Sequence, residues 1–487
     1  MQQYTVTFRP GDRRTTVDAG TTLLAAQIAA GLRPDAPCGG QGTCGKCRVT
    51  LEDGTLALAC QTPVTRDMTV FTAQSGPASI LTGGLDVHTA PDGTDRYVLA
   101  IDLGTTTVVA YLLDGATGAQ LATASCLNPQ GQYGADVISR IQHALDGNGA
   151  ALADCIRDAL ARLAEEAAAR AGIGMRDISC TAIVGNTAMH HLLLGIDPRP
   201  LVTPPYMPKA FAAIERETAG LLPTAGRVRI LPNIAGFVGG DTVGCLTATR
   251  FDRLEEMTLM IDIGTNGEMV LGDRRRRVAC STAADPAFEG AKISCGMRGA
   301  PGAVDHVWLE NGALRHHVIG EIRGVGLCGS GLLDLVAVLL ETGVIDESGR
   351  MEDGDYRLEG SDVVLTQKDV REVQLAKAAI RAGVELLAQR LGIPVDGIRR
   401  VLLAGAFGNY LNPASACRIG MIPPALEDRV VPIGNAAGEG AKLCALSRSE
   451  FAYSQQLADG AEFLELASLP QFQDCFVDAL EFSEEEP

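Results

Sequence analysis

A short motif occurs twice in this chain, and the two copies constrain the fold more than any other feature. The first copy reads IDLGTT at 101–106 and the second reads IDIGTN at 261–266. Each copy continues a run of apolar residues, which predicts a buried strand. Strand and helix patterns alternate around both copies, and the clearest of them are an alanine-rich helix at 151–171, a strand at 179–184, an amphipathic helix at 374–391 and a strand at 400–403. This alternation predicts two similar α/β halves.

Each motif has the residues that a phosphate-binding hairpin needs. Gly104 lets the backbone approach a phosphate, the threonine hydroxyls donate hydrogen bonds to phosphate oxygens, and Asp102 can hold Mg²⁺ through water. Asp262 and Gly264 repeat this arrangement in the second half. One such motif alone is more often a plain turn, whereas two copies at strand ends favour a nucleotide site.

A third segment, LAGAFG at 403–408, is expected to be a loop at the end of a strand, where its small residues leave room for an adenine ring. The candidate nucleotide ligands of the three segments are Gly104, Thr105, Thr106, Thr107, Gly264, Thr265, Asn266, Gly405, Ala406 and Gly408.

Four of the fourteen cysteines cluster near the N-terminus with the spacing C-x5-C-x2-C-x12-C, at Cys38, Cys44, Cys47 and Cys60. Four thiolates complete the coordination of two tetrahedral iron ions, and the glycines between them let backbone N–H groups approach the sulfur atoms. The pattern therefore predicts a [2Fe–2S] cluster. The plant-type spacing has one residue fewer, and the spacing supports Cys60 least because it is so near in sequence. A structural zinc site is a weaker alternative, and so is a P-loop, since Cys47 stands where a P-loop needs Ser or Thr.

The residues around these cysteines predict a small β-rich unit, followed by a linker. Strands are expected at 4–8, 47–52, 55–58 and 68–72, and a helix at 22–31. This is the element order of a β-grasp ferredoxin. The expected domains are the ferredoxin at 1–76, a linker rich in Gly, Pro, Thr and Asp at 77–96, the two lobes at 97–254 and 255–450, and a C-terminal segment at 451–487.

Composition argues against some classes of partner. The net charge of −18 and the 4% aromatic content, with one Trp, oppose binding to nucleic acid. No apolar run approaches the ~20 residues that span a bilayer, and no signal pattern precedes the first strand. We therefore expect a cytoplasmic protein without membrane contact, in which clustered thiols bind metal rather than form disulfides.

The two hairpins, 160 residues apart, and the later AGAFG segment resemble the acetate/sugar kinase, heat-shock chaperone and actin superfamily over roughly 97–446. The resemblance implies an α/β multidomain protein, in which the β-grasp [2Fe–2S] ferredoxin is joined to a two-lobed, RNase-H-like (actin-like) ATPase domain that binds ATP in its cleft. It implies that Asp241 faces the γ-phosphate and that the helix carrying Glu439, a further candidate nucleotide ligand, closes the other lobe. Asp102, Asp241 and Asp262 are then the candidate catalytic residues, with Mg²⁺ as cofactor.

The whole chain resembles the reductive activators of corrinoid-dependent methyltransferase systems. The matching stretches are CGGQGTCGKC at 38–47, IDLGTTTVVAYLLD at 101–114, NPQGQYGADVISRI at 128–141, VGNTAMHHLLLG at 184–195, EGAKISCGMRGAPGAV at 289–304 and LLAGAFGNYLN at 402–412. The resemblance implies ATP-dependent transfer of one electron from the cluster to the Co(II) corrinoid of a partner protein, which restores Co(I). A cytosolic donor would reduce the cluster, and the linker at 77–96 would let the ferredoxin swing.

Other functions stay open from the sequence alone. The chain could be an ATP-dependent electron activator of another low-potential enzyme such as a radical dehydratase, a small-molecule kinase with a regulatory cluster, or a scaffold without turnover. The oligomeric state is not fixed either, and a homodimer is one option.

Several residues are chemically capable but are better explained by packing or solvation. His190 and His191 are expected to pack rather than to contact a tetrapyrrole. Cys280, Cys295 and Cys328 lack the short spacing of cluster ligands and are expected to be buried thiols. The arginines at 274–277 are expected at a solvated hairpin tip. GVGLCGSG at 324–331 is expected at a helix start, where it is either a plain tight turn or a nucleotide contact through helix N–H groups.

Overall fold

The computed structural model describes residues 2–32, 34, 36, 39–42, 46–72, 80–264, 266–282, 287–288, 290 and 292–482. The N-terminal unit consists of β1 (Gln3–Arg9), β2 (Arg13–Asp18), α1 (Leu23–Ala29), β3 (Arg48–Leu51), β4 (Leu56–Leu58) and β5 (Met68–Thr72). Its strands form one sheet in the order β2-β1-β5-β3-β4, in which β1 and β5 run parallel. Helix α1 packs its buried Leu23 and Ala26 onto the sheet residues Val6 and Val70. The unit is the predicted β-grasp.

The first lobe follows the N-terminal unit. Its elements are β6 (Tyr97–Leu103), β7 (Thr107–Asp114), β8 (Gln120–Leu127), α2 (Val137–His143), α3 (Gly149–Arg170), β9 (Ile178–Gly185), α4 (Thr187–Leu194), β10 (Ile214–Glu217), β11 (Arg227–Ile230) and α5 (Gly240–Thr249). Its six strands are ordered β10-β11-β9-β6-β7-β8. The central strand β6 is buried on both faces, which explains its continuous apolar run.

The second lobe repeats this plan with a larger insertion. Its elements are β12 (Thr258–Ile263), β13 (Gly267–Gly272), β14 (Arg277–Thr282), β15 (Ala303–Glu310), β16 (Ala313–Val318), β17 (Gly326–Leu327), α6 (Gly329–Glu341), β18 (Tyr356–Arg357), β19 (Val364–Leu365), α7 (Gln367–Leu391), β20 (Arg400–Ala404), α8 (Gly405–Tyr410), α9 (Pro413–Arg418), β21 (Val430–Gly434), α10 (Ala436–Leu446), α11 (Arg448–Asp459), β22 (Ala461–Phe463) and α12 (Pro470–Asp478).

The two large sheets share one topology. In the second lobe the order is β21-β20-β12-β13-β14-β22. In both lobes an antiparallel meander of three strands, β6-β7-β8 or β12-β13-β14, is extended by two parallel strands, β9 and β11 or β20 and β21. This duplicated order confirms the predicted RNase-H-like, actin-like architecture.

Two elements differ from the predicted secondary structure. Helix α7 begins at Gln367 rather than 374, because Thr366 and Asp369 form a reciprocal capping box. The segment expected to be a loop at 403–408 is the end of β20 followed by the short helix α8.

Residues 80–92, called the strap here, lie against the second lobe. The backbone N–H of Asn435 donates to the carbonyl of Gly83 at 2.9 Å. At the other end, the backbone N–H of Asp92 donates to the carbonyl of Leu446 at 3.0 Å, and its carboxylate accepts from Ser447 and from the backbone N–H of Arg448. A swing of the ferredoxin unit on the whole of 77–96 stays a prediction, and it would have to break these contacts of the strap.

Within the described part of the chain, no helix has both the length and the apolar character that crossing a membrane requires.

Helices α5 and α10 fill the layer between the two sheets. Their apolar residues share one core with β6, β7 and β9 of the first lobe and with β12, β13 and β20 of the second. The two helices approach closely where glycines meet: a Cβ built on Gly440 would lie 2.1 Å from the carbonyl oxygen of Gly244. The lobes therefore meet at a contact where a side chain does not fit.

This contact yields a prediction. Gly440→Ala is expected to lower the free energy of unfolding by about 1–3 kcal/mol, because its methyl group overpacks the crossing. Gly149→Ala is the matched control, since its Cβ would meet no atom nearer than 3.6 Å at the start of α3. Urea unfolding measures both, and equal stability of the two variants would contradict the tight crossing.

Candidate functional site

The two motif copies form tight turns between paired strands. The N–H of Gly104 donates to the carbonyl of Thr107 at 2.9 Å in the β6–β7 hairpin, and the N–H of Gly264 donates to the carbonyl of Asn266 at 2.9 Å in the β12–β13 hairpin. Thr265 lies outside the described residues. Both turns stand at the same end of equivalent strands, which is the arrangement expected for two phosphate loops.

Buried polar side chains fix the first turn. Asn128 donates to the carbonyl of Gly104 at 2.8 Å, Arg140 donates to the carbonyl of Thr105 at 2.7 Å, and Asn186 donates to the hydroxyl of Thr105 at 2.8 Å. All three are at least nine-tenths buried. The sequence analysis did not assign them to the site, although each lies in a stretch that carried the family resemblance.

Four carboxyl groups gather where the hairpins face α5. Asp241 lies in the first turn of α5, and Asp102 and Asp262 lie near the ends of β6 and β12. The fourth is Glu268, which stands directly opposite Asp262 in the β12–β13 register. Opposed like charges destabilise an antiparallel pair. Glu268 was not among the predicted site residues, and this register is the signal that identifies it.

Burial dominates the electrostatics of these groups. It raises the pKa of Asp102 to about 7, of Asp241 to about 6 and of Asp262 to about 7, and the neighbouring carboxylates add to the effect for Asp102 and Asp262. The pKa of Glu268 is raised well above its ordinary value for the same reasons. A cluster of three half-buried aspartates and the buried Glu268, with raised pKa values, fits a divalent cation, whose charge would offset the repulsion.

The backbone leaves room beside this cluster. Gly405 adopts φ +83°, and a Cβ there would lie 2.7 Å from Oδ1 of Asp262. Gly405, Ala406 and Gly408 all lie in α8, which follows β20, the neighbour of β12. The predicted adenosine segment is thus next to the second phosphate hairpin.

The ring of Phe407 in α8 stacks on Phe288, with centroids 5.0 Å apart and planes 7° from parallel. A Cβ on Gly329, at the start of α6, would come within 2.6 Å of the Phe407 ring. The glycines at 324–331 therefore include one that close packing requires, and α6 begins there as predicted.

Asn435, the N-cap of α10, links this helix to the first hairpin. Its side-chain amide donates to Oδ2 of Asp102 at 2.8 Å and to the hydroxyl of Tyr111 at 3.1 Å. The predicted ligand Glu439, one turn further on, pairs with Lys442 at 2.6 Å. A nucleotide contact by Glu439 stays a prediction.

Two of the four predicted cluster ligands are described. Cys47 precedes β3, Cys60 follows β4, and both are buried. The β3–β4 hairpin folds the two segments back on each other, and the N–H of Ala59 donates to the carbonyl of Cys47 at 2.8 Å. This hairpin explains how Cys60, thirteen positions further along the chain, returns to the neighbourhood of Cys47. Cys38 and Cys44 lie outside the described residues.

Two glycines of the segment between Cys38 and Cys47, called the cysteine loop here, lie beside Cys60 and Gln61. A Cβ on Gly42 would lie 2.9 Å from the Gln61 side chain, and one on Gly40 would lie 3.8 Å from Cβ of Cys60. Gln61 in turn lies with its amide 3.7 Å from the sulfur of Cys60 and donates to the carbonyl of Gly40 at 3.3 Å. This close wrapping fits the predicted cluster.

The cysteine loop contacts both lobes. On the first lobe, a Cβ on Gly39 would lie 3.3 Å from the carbonyl oxygen of Tyr133. On the second lobe, the ammonium group of Lys46 donates to the carbonyls of Ile293 at 2.7 Å and Gly296 at 2.8 Å. The residue next to Cys47 is therefore held by the lobe that carries the second hairpin.

The residues that the sequence analysis set aside lie as follows. His190 and His191 are buried in α4, Cys280 and Cys328 are buried, Cys295 is half-buried, and Arg274 is an exposed partner of Glu255.

Family models match three consecutive parts of the chain. The 2Fe-2S iron-sulfur cluster binding domain matches residues 6–68, the RACo middle region matches 97–254, and the C-terminal domain of RACo, described as the ASKHA domain, matches 256–487. Together with the two-lobed fold, they define the class: an iron–sulfur ferredoxin unit joined to an ATPase of the actin-like type.

The relatives are more specific. The chain is 37% identical over 413 residues to the corrinoid activation enzyme RamQ of Eubacterium limosum, which covers 78% of this chain and 69% of the relative. It is 31% identical over 240 residues to the Co(II) methylated amine-specific corrinoid protein reductase of Methanosarcina barkeri, covering 45% and 44%. The solved structure of a reductive activator for corrinoid, iron-sulfur protein has a TM-score of 0.72 at 29% identity and covers 98% of both chains. The chain belongs to this family of corrinoid activators.

The buried carboxyl groups predict a pH dependence. Their folded-state pKa values of about 6 to 7 exceed the ordinary value of 3.8 for aspartate, so between these values the folded chain binds more protons than the unfolded chain. Without Mg²⁺ and nucleotide, the free energy of unfolding should therefore fall as the pH rises from about 5 to about 8. Urea unfolding at several pH values measures this slope.

Two variants test the assignment. Asp262→Asn should flatten the slope, because one buried group no longer ionises. Asp346→Asn should keep it, because hydrogen bonds lower the pKa of this exposed carboxyl group, which stays ionised over that range. A parent protein whose stability is independent of pH would contradict the buried cluster.

Proposed function

We propose that this protein is an ATP-dependent reductive activator of a corrinoid protein. One electron passes from the reduced [2Fe–2S] cluster of the N-terminal unit to the Co(II) corrinoid of the partner and yields Co(I). The observation that carries the proposal is the physical link between the two predicted sites: the cysteine loop contacts both lobes of the ATPase domain through Gly39 and Lys46. The names of the relatives supply the class of acceptor.

The chain's own residues have distinct roles in the nucleotide cleft. The N–H groups and threonine hydroxyls of the hairpin turns, Gly104 to Thr107 and Gly264 to Asn266, would bind the phosphates, and α8 would flank the adenosine. Asp102, Asp241 and Asp262 would hold Mg²⁺, directly or through water, and Glu268 would strengthen the negative field. Bound Mg²⁺ would supply charge neutralisation at the phosphates.

Cys38, Cys44, Cys47 and Cys60 would hold the cluster, which supplies a one-electron redox centre. Burial of Cys47 and Cys60 keeps their sulfur atoms from bulk water. An external low-potential donor must reduce the centre, because nothing in the described residues provides a second redox group. We propose that donor and acceptor are both cytoplasmic proteins; a homodimer stays a prediction.

ATP is needed if the corrinoid accepts electrons at a lower potential than the cluster delivers them. For one electron, each ~59 mV of uphill gap costs about 1.4 kcal/mol. Closing the cleft around ATP would move the two lobes relative to each other. Because the cysteine loop is held by one carbonyl pair on the second lobe and packs on the first, such a movement would change its position. Nucleotide binding would thereby control when the cluster reaches the corrinoid.

A reconstituted assay tests the proposal. A Co(II) corrinoid protein of a methyltransferase system is mixed with a low-potential reductant, Mg–ATP and the activator, and the absorbance of Co(I) is followed. We expect Asp262→Asn to slow the reaction about 10–100-fold, as loss of a metal-site group does, and Cys47→Ser to abolish it.

Two controls separate the sites. Cys475→Ser, at a half-buried cysteine of α12, should keep the parental rate and the parental visible spectrum. Cys60→Ser should lose the [2Fe–2S] spectrum, and a full spectrum in that variant would require another fourth ligand. Equal rates with and without ATP would overturn the proposed function.

A further inference from the structure

The strap crosses the start of α10 at a place where no side chain fits. Gly84 forms an antiparallel bridge with Gly434, and Asn435 donates its backbone N–H to the carbonyl of Gly83 at 2.9 Å. A Cβ on Gly84 would lie 2.8 Å from the carbonyl oxygen of Asn435 and 2.9 Å from the side chain of Glu439. Ile80 and Leu85 flank the crossing and pack on the core between the two sheets. The strap is therefore seated by both backbone and side chains.

The residue that the strap holds also contacts the nucleotide site. The side chain of Asn435 is buried and all its polar groups are used: the amide N–H groups donate to Asp102 and Tyr111, and Oδ1 accepts from the N–H of Gly438 at 2.8 Å. Rotation of the side chain would break these hydrogen bonds, so the position of the side chain depends on the position of its backbone. The backbone, in turn, is hydrogen-bonded to the strap.

The strap also joins the two sites along the chain. Its N-terminal end comes eight residues after β5, the last strand of the ferredoxin unit, which ends at Thr72. Its C-terminal end is fixed at Asp92 by three hydrogen bonds to residues 446–448. A displacement of the ferredoxin unit would therefore disturb the contacts of Gly83 and Gly84 first, because they are nearer to it along the chain. The hydrogen bonds of Asp92 would hold the other end of the strap in place.

We propose that Asn435 is a positioning residue for Asp102, and that the strap seated on it couples nucleotide binding to the placement of the ferredoxin unit. With the strap seated, the amide of Asn435 holds one carboxylate oxygen of Asp102 and leaves the other for the nucleotide's cation. With the strap displaced, Asn435 shifts and Asp102 loses that fixed orientation. The inference rests on the proposed function for the presence of a nucleotide, and it adds a regulatory contact that the cleft itself does not contain.

Thermodynamic linkage makes the coupling testable in both directions. In the full-length protein with its cluster, Mg²⁺ and a non-hydrolysable ATP analogue should slow amide exchange in the strap and at Asn435 by about fivefold or more. This measurement needs no variant. Unchanged exchange at the strap, with protection at the two hairpins, would overturn the coupling and leave the nucleotide site intact.

A matched pair of glycine substitutions tests the seat. Gly84→Ala should weaken binding of the analogue by about fivefold or more in calorimetry, because its methyl group lifts the strap from Asn435. Gly83→Ala adds the same methyl group where no atom lies within 4 Å, and its affinity should equal that of the parent. Equal affinities of the two variants would contradict the inference.

A third variant separates positioning from helix capping. Asn435→Ser keeps an oxygen that can cap α10 but removes both amide donors. We expect a somewhat lower melting temperature, because Asp102 and Tyr111 each lose a buried hydrogen bond, an analogue affinity lowered as in Gly84→Ala, and a raised KM for ATP with little change in kcat. A parental KM would overturn the role of Asn435. A parent that binds no analogue at all would overturn the proposed ATP site as well, whereas failure in the corrinoid assay alone would leave the coupling standing.

Discussion

The gathering of four carboxyl groups between the two lobes is the constraint around which this molecule is built. Asp102 and Asp262 are brought together by duplicated hairpins, Asp241 by the helix that fills the space between the sheets, and Glu268 by its register opposite Asp262. Such a cluster destabilises the free protein, since desolvation and mutual repulsion both disfavour its charged state. It persists because tight packing of α5 on α10 fixes the layers that carry it.

The carboxyl cluster also explains why the two lobes are similar but not identical. Both have the same order of five strands, yet Asp262 faces an acidic residue across its hairpin, whereas Asp102 faces Val109. Asp102 is held instead by Asn435 from the other lobe. The β12–β13 hairpin therefore carries a second carboxyl group, Glu268. In the β6–β7 hairpin, Asp102 is instead oriented by the amide of Asn435, which belongs to the second lobe. Through the hydrogen bond between Asn435 and Asp102, a movement of α10 would change the orientation of a carboxylate in the first lobe.

Much of the fold followed from local patterns, whereas several site residues did not. Repeated strand-end motifs and alternating elements predicted both lobes, because they depend on residues close in sequence. Glu268 and Asn435 could not be assigned in this way, since their roles depend on a strand register and on a contact between residues 333 positions apart. The length of α7 depended on a capping box that begins at Thr366, before the apolar pattern. The contacts of the strap could not be predicted either, because its glycines indicate flexibility in isolation, whereas Gly84 packs closely on Asn435.

The contacts of the cysteine loop suggest how these parts act together. A contact with one lobe would only carry the ferredoxin unit along when the cleft moves. Because Gly39 lies beside the first lobe and Lys46 is hydrogen-bonded to the second, a relative shift of the lobes would strain one of these contacts. Lys46 is the stronger of the two, because its ammonium group is hydrogen-bonded to two carbonyls, whereas Gly39 only packs. Closure should therefore release the loop from the first lobe before the second, and the strap, fixed at Asp92, would limit how far the unit then travels.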